Sequence, residues 1–483
     1  MDRVEIAGAS ISTEHLIGGE RVGTVRRFEC RSPNDWSTLV CGIAAGDAGT
    51  ARAAVDAACV GFDTWSSTPP ARRAVVLRRL AELIEANTDA FARIESLDMG
   101  FLERSLRERL VARCALNFRT YADLMETHVE ASWPARGTQH TVQRMPAGPA
   151  VVITPWNAPL LLSTWKLAPA LAAGNSVIHK PAEWAPLTAS LLADLAHDAG
   201  MPPGAYNLVQ GIGEEVGAAL VADPRVRRIS FTGSPETARS IGRAAAQHII
   251  PFTAELGGKG PLLVFGDADL DAAARLAAAQ YEDSGQVCLA GTRLLVDESV
   301  RGEFLERFRS AVAAHVLGDS RDPETTIAPV AHPDHLDRIE AFVERARAAG
   351  DEIVFGGRRA HESLHYEPTL VVPRSNGSEI VQREVFGPVL TLQTFAREVD
   401  AIALANSTAY GLSAIVMTGS PERGQRVGRA IRAGIVWVNT FLVRDLHAPF
   451  GGCGISGIGR EGGEYALDFH SDLKALIVAD PPG

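Results

Sequence analysis

The chain has 483 residues, 46% of them hydrophobic, and carries 47 Lys and Arg against 58 Asp and Glu, a formal net charge of -11. That length exceeds what one core holds and points to two or three domains, while the acidic balance argues against nucleic-acid and anionic-membrane partners. No stretch reaches the roughly 18 uncharged apolar residues of a membrane span, and the start, MDRVEIAGAS, has no long apolar core, so a cytoplasmic protein acting on small ligands is expected.

Helices open the chain, over 47–65 and 71–89, where apolar residues recur at three and four. After Ala150 short apolar runs alternate with helical stretches: AVVI, SVIH, a helix over 187–199, YNLV, a helix over 214–221, RRISF and a helix over 235–246. That alternation predicts βαβ units on a parallel sheet. A second set begins at Pro261 with PLLVF, a helix over 270–280, LLV, a helix over 301–314, and strands at EIVF and TLVV. The polar stretch from Thr127 to Met145 and the weakly alternating tail from Ala466 to Val478 are candidates for a β appendage used in oligomer contact.

The six cysteines, at 30, 41, 59, 114, 288 and 453, include no CxxC pair, which speaks for reduced thiols and against a metal site. Cys288 follows Gly285 and Gln286 in YEDSGQVCLAGTR; by itself it is either a small apolar filler or a nucleophile. In FTAELGGKGP a predicted strand runs into Gly257 and Gly258, so Glu255 is a surface carboxylate or, if buried, a base with a raised pKa. In ITPWNAPL, at the end of the AVVI strand, Asn157 is a turn residue between prolines or an amide facing developing charge.

Two glycine clusters compete for a phosphate. GIGEEVG, with Gly211, Gly213 and Gly217, departs from the dinucleotide fingerprint by one residue, and FTGSPETAR puts Gly233 and Ser234 before a helix N-terminus. Lys180 and Glu183 in SVIHKPAE are a donor and an acceptor suited to ribose hydroxyls, and the glutamate would repel a 2′-phosphate, which favours NAD over NADP.

TPWNAPL, HKPAE, FTGS, ELGGK, GQVC, EVFGP and PFGG followed by SGIGRE stand here in the order of one family, and the chain resembles the NAD(P)-dependent aldehyde dehydrogenases. The resemblance implies an α/β fold with two parallel-sheet domains, one NAD-binding and one catalytic, and a small β oligomerisation appendage. It divides the chain into an NAD-binding domain over 1–126 and 147–255, oligomerisation segments over 127–146 and 464–483, and a catalytic domain over 256–463. It assigns Cys288 as nucleophile, Glu255 as base and Asn157 as oxyanion donor. Lys180 and Glu183 match adenosine-ribose contacts, Gly233 and Ser234 the pyrophosphate turn, and Glu384 with Phe386 the nicotinamide-ribose site. Thr154, Trp156, Gly213, Gly217 and Leu256 complete the cofactor cleft, and Glu461 relays a proton. A homodimer or homotetramer is implied, as is release of the carboxylic acid by water, because coenzyme A-acylating relatives generally lack the base.

NTFLVRDLHAPFGG, GREGGEYAL and RCALNF resemble most the branch that oxidises muconate-type semialdehydes from aromatic ring cleavage. Such substrates carry carboxylates, for which Arg113 is the first candidate ligand, with Arg444 retained beside it; Arg113 is equally readable as a solvated helix arginine. The branch usually has arginine where this chain has His447, a weaker and pH-dependent anion ligand, and lysine where it has Gly454. Those departures leave open a neutral or aromatic aldehyde, and a non-catalytic scaffold remains a distant alternative.

Overall fold

The short apolar runs after Ala150 are buried on both faces, the pattern of strands sandwiched between helices, and they pair edge to edge in parallel. In the computed structural model, which describes residues 3–6, 8–360 and 363–479, they form the middle of an eight-stranded sheet. Its parallel strands lie in the order Phe252–Leu256, Arg228–Gly233, Ala150–Ile153, Val177–Lys180, Tyr206–Leu208. Chain progression reverses on either side of Ala150–Ile153, so a crevice opens at the carboxyl ends of that strand and Arg228–Gly233. The hairpin His15–Ile17 and Glu20–Val22 closes one edge, and Gly457–Ile458 pairs antiparallel to Phe252–Leu256 on the other.

A second, seven-stranded sheet runs Glu352–Phe355, Thr369–Val372, Val389–Phe395, Arg293–Asp297, Pro261–Val264, Ser413–Met417, Ile435–Val438, parallel except for its first strand. Three antiparallel strands, Ser132–Ala135, Thr138–Pro146 and Ser471–Ala479, make a separate sheet in which Ser471 faces Pro146 and Ala479 faces Thr138. The fold is thus α/β with two largely parallel sheets, as the sequence predicts. No described helix is long and apolar enough to cross a membrane.

Several boundaries differ from the sequence reading. The helix expected over 71–89 ends at Ala86, where Asn87 leaves helical geometry and donates its side-chain amide to Leu83 O, and a new helix, Thr88–Met99, begins. The segment expected as a helix over 214–221 opens as a π-helical turn, Gly213–Gly217, before Ala218–Val221. The tail expected as strand from Ala466 is helical over Gly463–Phe469 and extends only from Ser471.

Candidate active site

Glu255 is the penultimate residue of strand Phe252–Leu256, with Gly257, Gly258 and Lys259 following. Those glycines allow the backbone to close on two other segments. A Cβ on Gly258 would come within 2.3 Å of Cys288 O, and one on Gly257 within 2.0 Å of Glu384 Oε2, so neither position has room for a side chain. The Gly258 N–H donates to Glu384 Oε1 at 2.7 Å. Cys288 and Glu384, 96 residues apart in the sequence, are thereby hung on the turn that carries Glu255.

Asn157 lies on the loop between strand Ala150–Ile153 and helix Pro159–Ala172, and its Nδ2 donates to Gln286 O at 2.9 Å. Gln286 is pinned in turn: Oε1 accepts from Ala331 N at 2.9 Å and Nε2 donates to Asp283 O at 3.0 Å. The three residues before it, Asp283, Ser284 and Gly285, all take positive φ, so the approach to Cys288 is a strained left-handed stretch held by its neighbours. Cys288 is half-buried, and burial with the nearby Glu384 and Glu255 carboxylates pushes its thiol up to about 12, against a smaller pull from Arg444. A thiol so held is neutral near pH 7 and needs a base to attack.

Glu255 is 4% exposed and neither carboxylate oxygen has a hydrogen-bond partner. Burial, then the Glu461 carboxylate, hold its pKa well above the ordinary 4.5, outweighing Lys166, Arg460 and Arg444. Glu461 is reached through the antiparallel Gly457–Ile458 strand, whose Gly457 pairs with Glu255, and it is fully bonded: Lys166 Nζ donates to Oε1, Trp165 Nε1 to Oε2 at 2.6 Å, and Ser230 Oγ to Oε1 at 3.2 Å. Because the folded pKa of Glu255 is raised, its carboxyl favours the fold below pH 4.5 and that contribution is lost as pH climbs through the folded value. Glu255→Gln is therefore expected to match the native protein in thermal midpoint near about pH 4 and to exceed it increasingly toward about pH 8. Scanning calorimetry across that range would refute this with a pH-independent difference.

The other sequence candidates fall into two groups. On the first sheet, Lys180 Nζ contacts Glu183 Oε2 at 2.8 Å, and a Cβ on Gly213 would lie 4.0 Å from that same nitrogen, so GIGEEVG lies against the Lys180 side chain. Ser234 caps the 13-residue helix Pro235–Gln247 through Thr237 N, leaving the positive helix end at the crevice. Thr154 is buried, its hydroxyl bonded to His179 Nε2 at 3.0 Å inside the sheet. Trp156 packs on Phe386 and Trp184 with ring centroids at 5.5 and 5.4 Å.

In the second group Arg444 stacks over Phe450 and Trp165, at 3.9 and 4.6 Å, and burial and Arg113 together lower its pKa to about 10. Arg113, on helix Val111–Thr127, is lowered mainly by burial. Among the described residues neither guanidinium is ion-paired to a carboxylate, and Arg444 lies within electrostatic reach of Arg113, Cys288 and Glu255. His447 turns away, its side chain 65% exposed and its Nδ1 2.9 Å from Asp445 Oδ1.

Sequence reasoning missed Lys166, Trp165 and Ser230 around Glu461. It also missed Glu95, a buried acid at 1% exposure, raised to about 8 by burial, whose Oε2 accepts from Leu160 N at the helix start just beyond Asn157. No motif announces them; a charge inside an otherwise apolar helical face was the available signal.

Two α/β layers meeting at a thiol, a buried carboxylate and a side-chain amide are the architecture of an enzyme. Residues 22–476 match the aldehyde dehydrogenase family, and the chain belongs to it. It is 37% identical to the 2-aminomuconic semialdehyde dehydrogenase of Danio rerio over 96% of this chain and 98% of the relative. It is 38% identical to the 2-hydroxymuconic semialdehyde dehydrogenase of Pseudomonas sp. strain CF600, over 96% and 99%. The structure of indole-3-acetaldehyde dehydrogenase AldA of P. syringae, in complex with NAD+ and IAA, superposes with a TM-score of 0.95 at 35% identity, covering 97% of each chain.

Proposed function

We propose that this protein oxidises an aldehyde to its carboxylic acid, with Cys288 as nucleophile, Glu255 as base, Asn157 as oxyanion donor and NAD as hydride acceptor. The observation that carries the reading is Glu255: a buried carboxylate with both oxygens free, beside a thiol too weakly acidic to ionise alone. Cys288 Sγ bonds the carbonyl carbon while its proton passes to Glu255, directly or through a water. The Asn157 amide and the Cys288 backbone N–H hold the resulting oxyanion, and losing one such donor typically costs about 3 kcal/mol. Held in the crevice, NAD would supply the acceptor for the hydride that this carbon gives up, and Cys288 is left carrying the acyl group as a thioester. Glu255 then takes a proton from water, the hydroxide displaces sulfur, and the acid leaves with the thiol regenerated. Glu461, with Lys166 behind it, is the route for the proton carried off by Glu255.

The crevice residues suit that cofactor. Lys180 and Glu183 meet adenosine-ribose hydroxyls, the Gly213–Gly217 turn lies against Lys180, and Gly233 and Ser234 present a helix N-terminus to pyrophosphate. Thr154, Trp156 and Leu256 wall the cleft, and Glu384 with Phe386 takes the nicotinamide ribose. Two buried donors lack partners, Thr232 Oγ1 near the end of strand Arg228–Gly233 and Lys259 Nζ on the turn that follows strand Phe252–Leu256, as expected where a polar ligand completes the bonding. Glu183 beside Lys180 disfavours a 2′-phosphate and so NADP.

Arg113 and Arg444, unpaired and within electrostatic reach of each other, support a substrate carrying a carboxylate at its far end, the class named by the two muconic semialdehyde relatives. Arg113→Ala is expected to raise KM for a carboxylated semialdehyde about tenfold or more, the worth of one charge-assisted bond, and to leave KM for benzaldehyde within about twofold. Equal effects on both would favour the second reading, a neutral or aromatic aldehyde, which the exposed His447 and the likeness to an indole-3-acetaldehyde dehydrogenase support.

We also propose a cytoplasmic homo-oligomer joined through strand Ser471–Ala479. Leu473 and Ile477 on one face of this edge strand, and Leu476 and Val478 on the other, are 43–58% exposed, apolar surface that a second copy would cover. Light scattering should return a multiple of 51.4 kDa; a monomer at micromolar concentration would exclude the proposal.

A further inference from the structure

Helix Pro333–Ala348 holds the loop of Glu384, Val385 and Phe386 by its backbone carbonyls. His335 Nε2 donates to Phe386 O at 2.7 Å, Arg338 Nη1 to Val385 O at 2.6 Å, and Arg338 Nη2 to Glu384 O at 2.8 Å. Two side chains one helical turn apart thus satisfy three consecutive carbonyls of a single loop. The loop needs such a hold, because Phe386 takes a left-handed φ of +61°, a conformation non-glycine residues keep only where their surroundings impose it. The next residue, Gly387, lies so close to the helix that a Cβ would meet Ile339 at 2.6 Å.

His335 also joins the two halves of the site. Its ring lies 5.1 Å from Trp156, the neighbour of Asn157, and 5.9 Å from Phe386. Burial holds its pKa down to about 4, so the ring is neutral near pH 7 and the nitrogen facing Phe386 O carries the proton. Among the described residues neither His335 nor Arg338 bonds to Cys288, Glu255 or Asn157.

We propose that His335 and Arg338 are positioning residues for the cofactor: through the carbonyls of Glu384, Val385 and Phe386 they hold the loop that receives the nicotinamide ribose, and so set nucleotide affinity rather than thiol reactivity. This rests on the reading that Glu384 and Phe386 contact that ribose. It predicts separable effects on nucleotide binding and on attack by Cys288.

The test is titration of the aldehyde-free protein with NADH by fluorescence and with NAD+ by calorimetry, alongside the rate of Cys288 alkylation by iodoacetamide without nucleotide. His335→Phe keeps the ring and loses the donor, leaving a buried carbonyl unpaired, so its Kd should rise about tenfold. His335→Gln, which retains an N–H, should return Kd to within about twofold of the parent. Arg338→Ala, at a position open to solvent, should also weaken both nucleotides. Arg338→Lys should recover little, since one ammonium lacks the fork that spans two carbonyls. Alkylation rates should stay within about twofold throughout.

Glu384→Gln is the reference. If it binds nucleotide as the parent does, the ribose reading itself fails. If it weakens binding while His335→Phe and Arg338→Ala do not, the ribose reading stands and the positioning role is overturned. A His335→Gln variant as weak as His335→Phe, or alkylation slowed in step with Kd, would overturn it too.

Discussion

Cys288→Ser is expected to lose activity on the order of 10⁴-fold or more in kcat while melting within about 2 °C of the parent. The size follows from the chemistry that the site can support. A serine hydroxyl is far less acidic than a thiol, and Glu255, even with its raised pKa, is too weak a base to compensate. Serine also leaves an ester rather than a thioester, which water attacks more slowly. The fold should not notice, because the substitution is nearly isosteric at a half-buried position held by backbone contacts from Gly258 and the Asn157 bond to Gln286. Steady-state NADH formation measures the first quantity and calorimetry the second. Retention of more than about a tenth of the parent rate would be incompatible with covalent catalysis at this sulfur.

Glu255→Gln is expected to lower steady-state turnover by roughly 10²- to 10⁴-fold, the usual worth of a general base, in a manner that separates the two steps assigned to it. Water must be activated to release the acid, whereas the thiol can still lose its proton slowly to solvent. The variant should therefore show about one equivalent of NADH per site followed by slow turnover. Free coenzyme A, a better nucleophile than water, should speed the slow phase. The pH profile gives a second readout: the base works unprotonated, so native kcat should climb with pH through the raised Glu255 pKa, and the variant should lose that limb. A parent enzyme that forms NADH only in the presence of coenzyme A would remove Glu255 from the hydrolytic role.

The parallel strands were legible because each is a short apolar run bounded by glycine, proline or polar residues. The end of such a run is where Asn157, Lys180, Gly233 and Glu255 sit. Strands such as Ile435–Val438 escaped because four apolar residues inside a loop-rich region carry no periodicity that distinguishes them from core filling. The break at Asn87 escaped because apolar spacing continues on both sides of it, while the interruption depends on one side chain bonding to Leu83 O.

Within the site, residues at strand ends and glycine turns could be found, and those acting through other groups could not. Lys166 is the one charged residue of helix Pro159–Ala172, which marks it as unusual, but only the fold brings it to Glu461, 295 residues away. His335 and Arg338 lie on an ordinary amphipathic helix, and their bonds run to carbonyls, which have no sequence signature. His447 shows the converse limit: a departure visible in the sequence acquires meaning only when the ring is seen turned toward Asp445 and solvent.

The measurement closest to the central claim is chemical. The protein is quenched during turnover with aldehyde and NAD+, digested without reducing agent, and its peptides are weighed. The account predicts an acyl group on the peptide containing Cys288, more abundant in Glu255→Gln and absent from Cys288→Ser. An acyl group on another residue, or turnover with no modified peptide in the Glu255→Gln variant, would contradict it.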